Sequence, residues 1–191
     1  MARTESNEKT IPEIEARLKT IGGDMLKIEY FENCLRQQLA NDVRRYSHTK
    51  LADLYAARLM YFEAAKNLEG AADCAVTYKD KMQIYFLEAK MWIKSADYSK
   101  ANESFKKALA CANDLEKESL KAQLKQDYLS AADRFEKLNR NNNAIKVYDE
   151  LKILNLLTSE EKDKINAKLV ILYTKVGRIR EAIQLEQGMK R

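Results

Sequence analysis

The chain has 191 residues, 33% of them charged and 46% hydrophobic, and carries a net charge of +5. That balance excludes a disordered chain, and no apolar stretch approaches the roughly 20 residues that span a bilayer. One Pro, five Gly and the lack of any alternating run of Val, Ile and Thr exclude a sheet-rich fold and leave an all-α chain.

Residues 1–9 read as a disordered tail, and the opening MARTESNEKT lacks the apolar region of a secretion signal. Thr10-Ile-Pro-Glu13 then forms a capping box with Pro in the first turn. The helix it starts is expected to stop at Gly22-Gly23. Asp24 caps a longer helix running to about Tyr46, with Met25, Ile28, Phe31, Leu35 and Leu39 on one face. Residues 10–46 are therefore expected to form an N-terminal hairpin or cap. His48, in a Ser-His-Thr segment, reads as a polar loop residue between helices.

From residue 47 onward one pattern recurs four times. An aromatic residue is followed nine positions later by alanine: Phe62 to Ala71, Trp92 to Ala101, Phe135 to Ala144, and Tyr173 to Ala182. Three positions before each aromatic stand Leu59, Ala89, Ala132 and Val170, which share its helical face. Four positions after it stand Lys66, Ala96, Asn139 and Gly177, where a turn should fall. A second helix then offers its alanine where two backbones pass closely. This spacing predicts four helical hairpins, at about 49–79, 80–113, 115–157 and 158–190, forming a single domain with the N-terminal hairpin. The last unit decays at Glu186, as a terminal repeat with one face in water does.

The stretch AKMWIKSADYSKANESFKKAL (89–109) resembles a tetratricopeptide repeat, and LYTKVGRIREAIQL (172–185) carries that family's Tyr, Gly and Ala. The four alanines are unevenly spaced, unlike the family's period of about 34 residues. Uneven, long hairpins and the run YFEAAKNLEGAAD (61–73) also resemble the soluble NSF attachment proteins. The resemblance implies a right-handed superhelical stack of antiparallel hairpins, a tetratricopeptide-like α-solenoid.

No residue pattern argues for chemistry. His48 has no second histidine to share a metal, no CxxC occurs among Cys34, Cys74 and Cys111, and no Gly-rich phosphate loop is present. Glu160-Glu161 and Asp149-Glu150 read as first-turn or solvated charges. The three cysteines fit reduced thiols in a cytoplasmic protein. We therefore expect a non-enzymatic chain with no cofactor, acting as an adaptor or scaffold for a protein partner.

In the resembled family the first helices line a groove that grips a peptide or a helix. Counted from the aromatic anchors, groove positions here include Gln83, Phe86, Lys90, Lys94, Gln126, Leu129 and Lys164, with Asp53, Ala56 and Met60 in the first unit. Their mixed character suits a helix or an internal peptide. The alternative partner is RNA or a ribosome surface. It would meet a basic edge formed by Lys100, Lys106, Lys107, Lys175, Arg178 and Arg180, together with Lys190 and Arg191.

Overall fold

A computed structural model describes residues 6–189. Among them it contains ten α-helices and no strand. They are α1 (Ile11–Leu18), α2 (Asp24–Leu35), α3 (Asn41–Ala57), α4 (Tyr61–Asp73), α5 (Tyr78–Lys94), α6 (Tyr98–Cys111), α7 (Asp114–Lys137), α8 (Asn141–Ile153), α9 (Ser159–Lys175) and α10 (Ile179–Met189). Among the described residues no helix is long and apolar enough to cross a membrane.

The N-terminal helices follow their capping signals with two corrections. Glu13 Oε2 accepts from the Thr10 amide at 3.1 Å, closing the expected box. However, α1 ends at Leu18, ahead of the glycines. The long helix expected from Asp24 to Tyr46 is two helices. Ala40 is extended (φ −61°, ψ 152°), and α3 starts at Asn41 with Asp42 in its first turn, where an acid favours the helix dipole. In the gap the Gln37 side-chain Nε2 donates to the carbonyl and hydroxyl of Ser6, which is buried. Residues 1–5 of the expected tail lie outside the described residues.

Four turns repeat the same backbone hydrogen bonds. The amides of Met60, Asp97, Arg140 and Arg178 donate back to the carbonyls of Tyr55, Trp92, Phe135 and Tyr173, at 2.9, 3.0, 2.9 and 2.8 Å. One residue earlier, Leu59, Ala96, Asn139 and Gly177 sit at positive φ and donate to Ala56, Ile93, Glu136 and Thr174. This is the Schellman ending of a helix, which satisfies carbonyls left free by the last turn.

These bonds correct the first unit. Its anchor is Tyr55 and its tight alanine is Ala64, seven residues before the pair read from the sequence. Lys66 lies inside α4 and not in a turn, and Phe62 is 42% exposed. The other three units keep the expected anchors, and Ala64, Ala101, Ala144 and Ala182 are all buried. Helix starts match their polar side chains: Thr77 Oγ1 accepts from the Asp80 amide (3.0 Å) and Asp97 Oδ1 from the Lys100 amide (3.2 Å).

The chain divides into two compact units between Asp114 and Leu115. In the first, α2 packs on α3, α3 on α4, α4 on α5, and α5 on α6. Its core joins Ile14, Ile28, Phe31, Val43, Leu51, Tyr55 and Leu68. In the second, α8 packs on α9 and α9 on α10, and Leu124, Tyr128, Tyr148, Leu151 and Leu169 are buried.

Candidate partner-binding surfaces

With Tyr55 as the anchor, the groove positions of α3 become Tyr46 and Thr49, where the sequence reading had Asp53 and Ala56. Tyr46 and Thr49 line a cleft of about 460 Å³ together with Gln83 of α5. Ile11, Ile84 and Leu87 give the cleft an apolar strip, and Asp42, Lys50, Arg45 and Asp80 supply charge. Arg45 Nη1 meets Asp80 Oδ2 at 2.6 Å, an ion pair that ties α3 to α5. The Thr77 hydroxyl and then Arg45 hold the Asp80 carboxyl below its ordinary value. Lys50 Nζ lies 5.6 Å from the Tyr46 ring centre. Apolar strip and charged rim together suit a side chain presented by a helix or peptide.

The other groove positions of the first unit lie elsewhere. Phe86 is 7% exposed and packs on Phe105, with ring centres 6.4 Å apart. It therefore belongs to the interior, and Lys90 Nζ covers its ring at 5.5 Å. Lys94 lies over the Tyr61 ring at 5.3 Å.

In the second unit Leu129 and Lys164 come together in a pocket of about 180 Å³ with Tyr148, Leu157, Ile165 and Lys168. Lys125 Nζ pairs with Glu161 at 2.8 Å on its edge. Burial and then the Glu136 carboxylate push the Tyr148 phenol up to about 12. Gln126 is exposed on α7 and does not line this pocket.

No family model matches the chain, and no curated protein matches it.

The basic edge is divided between the two units: Lys100, Lys106 and Lys107 belong to the first, and Lys175, Arg178 and Arg180 to the second. Lys107 pairs with Glu103 at 3.1 Å and Arg178 with Glu181 at 2.8 Å, which compensates both charges. Lys106, Lys175 and Arg180 are exposed. Lys190 and Arg191 lie outside the described residues.

Two titratable groups are more buried than their sequence context implies. His48 is not in a loop: it lies within α3, half-buried, with Nδ1 3.1 Å from Asn67 Oδ1. Burial lowers its pKa. Gly70 leaves room for the His48 ring, since a Cβ there would stand 2.7 Å from its Cε1. Glu88 on α5 is 3% exposed; its Oε1 accepts from Trp92 Nε1 (3.0 Å) and Ser104 Oγ (2.7 Å). Its Oε2 has no partner, and burial raises the carboxyl's pKa. Glu88 stands one helical turn before Trp92 on the same face, and that spacing is the one sequence hint of its burial. Cys34 is buried and Cys74 and Cys111 half-buried, all three free.

Proposed function

We propose that the chain is a cytoplasmic, non-enzymatic adaptor that holds a protein partner in the α3–α5 cleft. The fold that goes with this reading is a right-handed stack of antiparallel tetratricopeptide-like hairpins. The observation that carries it is the recurrence of position. Tyr46 stands nine residues before the anchor of α3 and Gln83 nine before the anchor of α5, and both line one cleft with an apolar strip. The partner this suits is an amphipathic helix or an internal peptide, with apolar residues against Ile84 and Leu87. The four Schellman turns support the repeat, because they set the same ending after each anchor.

The test begins with affinity purification from the native host, followed by direct titration of each recovered protein. Gln83→Arg with Leu87→Asp, both at exposed positions, should weaken the cleft partner at least tenfold while helical content stays unchanged. A recovered partner that binds this variant as tightly as the wild type removes the cleft from the proposal.

A further inference from the structure

The residue that broke the sequence pattern, Phe62, points to a second surface away from the cleft. Leu59 (71% exposed), Met60 (38%) and Phe62 form an outward apolar group where α3 turns into α4. The Phe62 ring is held edge-on by Trp92, with centres 5.4 Å apart at 80°. Two ammonium groups approach the same ring: Lys66 Nζ at 4.8 Å and Lys100 Nζ at 5.3 Å. Beside it Lys94 covers the Tyr61 ring. Neither Lys66 nor Lys94 has a carboxylate partner among the described residues, and Lys100 has only Asp97 at 3.8 Å.

We propose that this aromatic–lysine cluster binds single-stranded RNA, with a base against Phe62 and adjacent phosphates on Lys66, Lys94 and Lys100. The chemistry follows from where the charges sit. A flat base displaces the ammonium groups sideways from the ring onto its own phosphates, so stacking and ion pairing form together. Only an unpaired base can leave its neighbours to meet the ring, which selects single strands. A lipid surface fits less well. Inserting Phe62 into hydrocarbon would carry along two ammonium groups that lie at ring height, and a buried unpaired charge is costly. The surface uses one residue of the expected basic edge, Lys100, and adds Lys66 and Lys94, which that edge omitted.

The experiment is fluorescence anisotropy of a labelled 15-nucleotide oligouridylate against the full chain over a salt series. Trp92 is the one tryptophan in the sequence, so quenching of its emission by the oligonucleotide reports binding beside Phe62. Lys66→Ala with Lys94→Ala should weaken binding at least tenfold at low salt. It should also flatten the slope of log affinity against log salt by about 0.7 for each phosphate that is no longer neutralised. Phe62→Leu keeps the apolar contact with Trp92 and removes the π face. It should lower affinity several-fold and leave the salt slope unchanged. Gln83→Arg with Leu87→Asp should leave oligonucleotide binding intact, so failure of the cleft reading and failure of this one remain separable. The proposal is overturned if the wild type does not bind the oligonucleotide at low salt, or if the lysine variant binds it equally well. It is equally overturned if a duplex of the same length binds as tightly, or if vesicles of neutral and anionic phospholipid are bound in its place.

Discussion

Replacing Leu59 by glycine should make the protein more stable, although it deletes a large apolar side chain. Leu59 has φ 61° and is 71% exposed, so its side chain gains little from burial and its backbone occupies the left-handed region. That conformation costs a non-glycine residue about 1–2 kcal/mol. Glycine adopts it freely but loses more backbone entropy on folding, an offset of about 0.5–1 kcal/mol. The net expectation is a gain of up to about 1.5 kcal/mol, worth roughly 2–4 °C in Tm per kcal/mol for a chain of this size. The Met60-to-Tyr55 bond that closes the turn is made by backbone atoms and survives the change. Gly177→Ala is the reciprocal test: the same turn, φ 77°, with open space where a Cβ would stand. It should lose about 1 kcal/mol. Thermal and urea unfolding followed by circular dichroism measure both. A Leu59→Gly variant that is less stable than the wild type would refute the reasoning and show that the Leu59 side chain is held by its neighbours in solution.

Ala101 is fully buried between α5 and α6, so Ala101→Leu should overpack that interface and destabilise by roughly 1–3 kcal/mol in urea melts. An unchanged midpoint would place Ala101 on the outside of the pair. Glu88 gives a pH signature. Its folded pKa is raised above the ordinary value of 4.5 by burial, so the folded state binds the proton more tightly than the unfolded one. The stabilisation this gives is complete below about 4.5 and is lost as pH rises through the folded value. Glu88→Gln keeps an oxygen for Trp92 and Ser104 and removes the charge. Urea midpoints should show the variant gaining on the wild type as pH rises from 4 to 7; a pH-independent difference would contradict this.

Three of the four helix endings could be read from the sequence because their anchors obey helical periodicity, and the misplacement of the other has a physical cause. Tyr55 and Phe62 are seven residues apart, as are Ala64 and Ala71, and seven residues are close to two helical turns of 3.6. Both pairs therefore satisfy the aromatic-to-alanine spacing and share a helical face. Only the turn distinguishes them. In the last unit Gly177 announces it, and in the third Asn139 does, since both residue types tolerate positive φ. In the first unit Leu59 takes that conformation without any residue-type signal. The misplacement carried over to the site: it moved the α3 groove positions off Tyr46 and Thr49 and made Phe62 an interior residue. Phe86 dropped out of the groove for a different reason. It is 7% exposed and its ring packs against Phe105 of the next helix, a contact between helices that spacing along one helix does not reveal. The break before α3 was signalled only by Asn41-Asp42, which an otherwise helical run concealed.

The four turns also label the chain for exchange with deuterated water. An amide that donates to a carbonyl five residues back exchanges when its own turn opens. Met60, Asp97, Arg140 and Arg178 each supply one such amide. Their four rates, resolved by nuclear magnetic resonance, would rank the connections by local opening free energy. A ligand that tightens one of these turns would slow that turn's signal selectively, without any substitution.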